Sequence, residues 1–364
     1  KNEQASAQIN GDLRVKNGDL VVQADKHVAS GRVTVQGKEI TLNAARNLLY
    51  SQDGQTRQEA FGAYYDWFKK ERTQLGSIFD EMVKVRDQMG KNMGHKNFIP
   101  LAYDSMGRSD YGVKEAAEFR AAVKKYFVPV FEKICKEQAQ ALGQKTLKPW
   151  DINIDPRFKL SQHELPLDQQ LQALDRVFNK LSPRLAQHFT RMRQENLIDL
   201  EDRPSKRAGA FCTSFADEGR AVIFCRSTGI VEDMRTLTHE MGHAFQGWES
   251  QRIAWVDLIW PTYDACEIHS MGMEFLSAHF ATEFLSPEDA RKYKTERWKQ
   301  SIDLACYVAI VDEFQHWIYS NPSASLDERD QAWERIYKEY RPGIDFSGVE
   351  YARVGRWYAQ GHIF

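Results

Sequence analysis

The feature that most constrains this chain is the 34-residue run "RQEAFGAYYDWFKKERTQLGSIFDEMVKVRDQMG", residues 57 to 90. Phe61, Tyr64, Phe68, Leu75, Phe79, Met82 and Val83 recur mostly at three and four residues, the spacing of one buried helical face. Gly94 ends the run. A second amphipathic stretch covers residues 109 to 143 and is bent or broken at Pro129, whose ring removes a backbone donor. Residues 144 to 166 carry Pro and Asp and read as a connection, and helical periodicity returns from Leu167 to Asn196. Only two places read as β: a hairpin at 33 to 41, "VTVQGKEIT", turning at Gly37, and the pair "RAGAFCT" and "RAVIFC" around "SFADEG". The fold class expected is mainly α, with one small antiparallel sheet just before the helical stretch that starts near 227.

Composition narrows the function. Hydrophobic residues are 42% and charged residues 27% of 364, the balance of a globular chain long enough for a large core. A formal net charge of −2 gives no reason to expect nucleic acid or an anionic membrane as partner. No apolar run approaches the roughly 18 residues that span a bilayer. The five cysteines are scattered and odd in number, which favours a reducing, cytoplasmic setting over a disulfide framework. The chain starts at Lys1 rather than Met and reads as a processed or excised piece. The expected organisation is an extension with a hairpin over 1–45, a helical scaffold over 46–200 and a third region over 201–364, the last two forming one continuous helical domain.

The chemistry concentrates in "STGIVEDMRTLTHEMGHAFQ", residues 227 to 246. Ser227 or Thr228 can cap a helix here, and Val231, Met234, Leu237, Met241 and Phe245 form its apolar stripe. His239 and His243, four apart, lie one above the other and can direct two imidazole nitrogens at one ion about 2.0–2.1 Å away. Glu240 is rotated off that axis, within reach of a water on the ion. Alone, the pattern fits a solvated helix face equally well. A third ligand is offered by Glu267 in "ACEIHSMGMEF", where an acid amid Ala265, Cys266, Ile268, Met271, Met273, Phe275 and Leu276 needs a partner. Two imidazoles and a carboxylate with an open position suit one zinc per chain. Glu274, or Asp233, is placed to accept the other ring nitrogen of a ligand histidine. His269, two residues on, points to a different side of the helix from Glu267 and reads as a supporting or substrate-facing group. His316 reads as a satisfied core histidine and Cys266 as a structural thiol.

These residues resemble the oligoendopeptidase F branch of the thimet oligopeptidase family, zinc metallopeptidases of the gluzincin type. The likeness runs through "GAFCT", the 227–246 segment and "ACEIHSMGMEFL", and more weakly through "AYYDWFKKE", "VKVRDQMGKNMGHKNF" and "MGRSDYGV". It implies a multi-helix zincin-like catalytic lobe. By motif position, the family's zinc ligands fall on His239, His243 and Glu267, and its general base on Glu240. His362, in the closing "GHIF", matches a histidine that helps hold the tetrahedral intermediate, or else is a surface histidine. The tyrosines that follow it in the family are absent, and Tyr263, Tyr351 and Tyr358 are weaker stand-ins. The family's N-terminal part is longer too, so the expectation is a fragment, one lobe of a clam-shaped enzyme.

The expected activity is endopeptidase cleavage of short peptides, with no nucleic-acid or membrane partner and the oligomeric state left open. Substrate backbone would add to the edge of "RAGAFCT" at Gly209, Ala210 and Phe211, glycine permitting close approach. The competing readings are a hairpin that merely packs on the helices, a zinc-containing peptide-binding module that does not cleave, and an inactive piece of the peptidase.

Overall fold

A computed structural model of the chain describes residues 8–201, 203, 206 and 209–359. In chain order the elements are α1 (Gly11–Ser30), β1 (Arg32–Val35), β2 (Lys38–Thr41), α2 (Leu42–Leu48), α3 (Gly54–Asn92), α4 (Ile99–Ser105), α5 (Val113–Ala122) and α6 (Val128–Ala141). There follow α7 (Leu167–Leu181), α8 (Pro183–Gln194), β3 (Ile198–Asp199), β4 (Ala210–Phe215), β5 (Arg220–Cys225) and α9 (Asp233–Glu249). The chain continues with α10 (Ile268–Ala278), α11 (Pro287–Ser320), α12 (Leu326–Tyr340) and α13 (Tyr351–Val354). The fold is mainly α, as the periodicity predicts. It divides into two compact units, Lys1–Arg157 with Lys299–Phe364, and Phe158–Trp298. These units do not follow the expected boundaries after residues 45 and 200. Among the described residues no helix is long and apolar enough to cross a membrane.

In the first unit, α3 is the central support. Asp53 accepts from the Thr56 backbone N–H at 2.7 Å and satisfies one of the donors left open at a helix start. All seven apolar residues named from the spacing are buried in its core. Each such side chain contributes about 1.5–3 kcal/mol relative to exposure, which is what holds an amphipathic helix that would be marginal alone. The hairpin β1–β2 pairs Val35 with Lys38, leaving Gln36 and Gly37 both at positive φ, the backbone of a tight two-residue turn. At Pro129 the chain is not broken. A π-helical turn, Val123–Phe127, lies between α5 and α6, and the Val128 N–H bonds the Val123 carbonyl across it. Widening the turn just ahead of Pro129 lets the helix pass a residue that cannot donate.

In the second unit, α7 and α8 part at Ser182, whose extended backbone is what a residue before proline prefers. The sheet has the order β3-β5-β4, with β4 antiparallel to β5 and β3 parallel to it. The sheet is therefore mixed rather than purely antiparallel. At two residues, β3 is too short to show an alternating pattern. β4 is an edge strand, and α9 packs against the sheet.

Candidate metal centre

The start of α9 is held by Asp233, not by Ser227 or Thr228. Its Oδ2 accepts from the backbone N–H groups of Thr228, Gly229 and Ile230 at 2.8–3.0 Å and from Ser227 Oγ at 2.7 Å. That occupation removes Asp233 from any contact with the histidines. Val231, Met234, Leu237, Met241 and Phe245 are buried in the core of the second unit, which fixes the rotation of α9 and turns His239 and His243 toward α10.

Gly242 sets how closely α10 can come. A Cβ there would lie 2.6 Å from the His269 carbonyl oxygen and 2.6 Å from Ser270 Cα. Only glycine admits the backbone of α10 at that point. The approach carries Glu267, the residue just before α10, over the two histidines. Its Oε2 lies 3.1 Å from His239 Nε2 and 3.5 Å from His243 Nε2, and Ser270 Oγ donates to the same oxygen at 2.5 Å. The three possible ligand atoms lie within 4.8 Å of one another. Glu267 is not in the first turn of the helix, nor buried among apolar neighbours. Its side chain is 52% exposed and Ile268 is 71% exposed. The premise that an enclosed acid must find a partner does not hold, although the acid does stand where two imidazoles converge.

The outer ring nitrogens are engaged as well. His239 Nδ1 donates to Glu274 Oε1 at 2.8 Å, since the carboxylate can only accept. His243 Nδ1 lies 2.8 Å from His269 Nε2. Both Nε2 atoms are thereby left facing one carboxylate oxygen. Two like nitrogen donors aimed at a single point, with the tautomer of His239 set from behind by Glu274, fit a four-coordinate zinc with one open position.

The electrostatics follow from the neighbours. Burial lowers the proton affinity of His239, but the hydrogen bond and charge of Glu274, then the charges of Glu267 and Glu240, outweigh it and raise its pKa. Burial pushes His243 down, and the partner behind it is a histidine rather than a carboxylate. Burial also raises Glu240, against the opposing His239, with Glu267 and Glu274 adding to the rise. Glu240 is buried next to the first histidine, and its charge reaches Cys212 on β4, whose thiol is pushed up to about 12, mainly by burial.

Gly209, immediately before β4, has φ +100, a conformation that favours glycine. Phe211 is half exposed and stacks on Phe224, ring centres 5.1 Å apart. His362 lies outside the described residues. In the first unit, Tyr358 is buried and donates to the Phe68 carbonyl, so it is a core residue. His316 is buried there against the Tyr103 hydroxyl at 2.8 Å, the satisfied core histidine anticipated. Cys266 donates to the Tyr263 carbonyl and stays out of the cluster.

His269, read from the sequence as a supporting or substrate-facing group, stands behind His243 because α10 crosses α9 at Gly242. One neighbour, Trp260, is not singled out from the sequence. Trp260, with its ring centre 6.0 Å from that of His243, lies on a loop that carries no periodic signal.

The family profile of Peptidase family M3 matches residues 47–364. Among solved structures, the chain is similar to PZ peptidase A with inhibitor 2, at 34% identity and TM-score 0.87, over 97% of this chain and 63% of that one. It is similar to a protein assigned as oligoendopeptidase F from Bacillus anthracis strain Ames, at 32% identity and TM-score 0.79, over 97% and 63%. A further structure assigned as oligoendopeptidase F matches at 34% identity and TM-score 0.86, over 96% and 62%. The chain thus spans less than two thirds of the length of these relatives. Comparison with curated proteins finds no match. With the profile spanning most of the chain and three structures above 30% identity, the chain belongs to peptidase family M3, in its oligoendopeptidase F branch.

Proposed function

We propose that the chain carries the catalytic centre of a zinc-dependent endopeptidase acting on short oligopeptides. The observation that carries this reading is the convergence of His239 Nε2, His243 Nε2 and Glu267 Oε2, with Glu274 and His269 behind the two imidazoles. His239, His243 and Glu267 would hold a zinc ion, which when bound would supply Lewis acidity to the scissile carbonyl and a more acidic water. Glu240 takes the proton of that water on its carboxylate and passes it to the departing amine. Its raised pKa, caused first by burial, brings it closer to the range in which one group can both accept and deliver. Glu274 keeps the His239 proton on Nδ1, leaving Nε2 as the donor atom.

An extended peptide lying along Gly209, Ala210 and Phe211 at the edge of β4 takes main-chain hydrogen bonds from alternate residues, since the Gly209 carbonyl already accepts from the Arg226 N–H, and such bonds select for backbone rather than sequence. His362 is our candidate for the oxyanion donor. The five free cysteines support a cytoplasmic setting.

The test is cleavage of an internally quenched peptide of about nine residues by the chain and by its Glu240→Gln variant, both loaded with zinc. The reading expects the parent to cleave, the variant to keep its zinc, and the rate to fall by at least about 10³-fold. Zinc-independent cleavage, or a fully active Glu240→Gln, contradicts it.

A further inference from the structure

Between the two helices that carry the metal-binding residues runs a segment with an unusual surface. Trp255, Val256, Leu258 and Tyr263 are all well exposed, and Trp260 is 47% exposed. Exposed large apolar groups in such a concentration mark a place where something apolar binds. Trp260 is the one tied to the centre. Its ring centre lies 6.0 Å from that of His243, tilted by 30°, and 6.2 Å from that of His269, nearly perpendicular. The segment is fixed where it matters. Gln246, one turn along α9 from His243, donates from Nε2 to the Ile259 carbonyl at 2.8 Å. Pro261 restricts the backbone of Trp260 to extended conformations. The indole is therefore held beside the imidazoles with about half of its surface open.

We infer that Trp260 forms one wall of an apolar subsite that receives a large apolar side chain, aromatic or long aliphatic, from a peptide residue flanking the scissile bond. This deepens the peptidase reading and rests on it. A peptide whose carbonyl stands at the convergence of His239, His243 and Glu267 has its neighbouring Cα atoms about 3.8 Å apart. A side chain one residue from the cut is thus within reach of a ring centred 6.0 Å from His243. An indole face offers such a side chain both apolar area and ring geometry, and an alanine gains little from it. The preference belongs to one residue of the substrate, whereas the edge of β4 recognises backbone. Together they give a site that is tolerant along the peptide and selective beside the cut.

The experiment uses two quenched peptides identical except for Phe or Ala at the residues flanking the cleaved bond. Cleavage is measured with the zinc-loaded parent, Trp260→Ala, Trp260→Phe and Trp255→Ala. Binding of both peptides is measured by fluorescence anisotropy on the zinc-loaded Glu240→Gln protein with and without Trp260→Ala, and zinc content is assayed on every protein. The inference expects kcat/KM to favour the Phe peptide by about tenfold or more in the parent. It expects the ratio to collapse toward unity in Trp260→Ala, to be largely kept in Trp260→Phe and in Trp255→Ala, and the binding ratio to follow. Zinc content stays unchanged throughout. If the parent cleaves but shows no preference, or Trp260→Ala keeps it, this inference is overturned while the peptidase reading stands. If no peptide is cleaved or bound by the zinc-loaded proteins, both fall together.

Discussion

Glu274 Oε1 accepts a hydrogen bond from His239 Nδ1 at 2.8 Å across 35 residues of sequence, joining α10 to α9 behind the point where three donor atoms converge. The carboxylate fixes the tautomer and rotation of the ring and makes Nε2 a stronger donor. Replacing Glu274 by Gln keeps the shape and removes the charge. Zinc affinity is expected to fall by about 10–100-fold in competition with a chromogenic chelator, with the helical circular dichroism unchanged. An unchanged affinity would mean that Glu274 does not support the ligand.

Gly242 sits where the backbones of α9 and α10 meet, and a methyl group there would be 2.6 Å from Ser270 Cα. Backbone cannot step aside as a flexible side-chain tip can. Gly242→Ala is therefore expected to lose about 1–3 kcal/mol of stability through forced separation of the helices. It is also expected to lose zinc, because Glu267 moves away with α10. Calorimetry and metal analysis of the same sample check both effects.

His239 lies between two carboxylates, with Glu274 on Nδ1 and Glu267 on Nε2. Their hydrogen bond and charges overcome the effect of burial and raise its pKa, so without metal the ring stays protonated to a higher pH than a free imidazole. Zinc must displace the Nε2 proton. Apparent affinity is thus expected to decline with falling pH, starting above the ordinary histidine range, with proton release on binding. Titration calorimetry in buffers of different ionisation enthalpy reads that release. Zero net release near the ordinary histidine pKa would contradict this account of His239.

Much of this arrangement is legible in the sequence, for reasons that differ by residue. The stripe from Phe61 to Val83 is visible because burial repeats along a single helix, and that period survives whatever packs on it. His239 and His243 are visible because four residues make one turn. Glu267 is harder to see. The apolar letters around it imply enclosure, but they are partly exposed, since the segment begins as an irregular loop and the helix starts only at Ile268. His269 and Trp260 acquire their places from the crossing at Gly242 and from the anchoring of a loop by Gln246. Both are long-range facts with no periodic trace. The strand β3 is invisible for the simpler reason that two residues carry no alternation.

Asp155, in the first unit, offers a test away from the centre. Burial would raise its pKa, but hydrogen bonds from Arg157 and the charge and hydrogen bond of Lys299 outweigh that and lower it. With the folded value below the unfolded one, the unfolded chain binds more protons between the two. The stabilisation is therefore full above the unfolded pKa of about 3.9 and is lost as pH falls from there through the folded value. Asp155→Asn is expected to cost about 2 kcal/mol at neutral pH. Its Tm deficit should shrink as pH falls below about 4. A deficit that grows on acidification would reverse the sign and refute the assignment.

The most direct measurement is zinc stoichiometry by elemental mass spectrometry after equilibration with zinc and removal of the excess, on the parent, Glu240→Gln and His243→Ala. The account predicts about one zinc per chain for the parent and for Glu240→Gln, and a loss of most of it in His243→Ala with the helical fold retained. A parent that holds no zinc, or a His243→Ala chain that holds as much as the parent, would contradict the claim that His239, His243 and Glu267 form a metal centre in this chain.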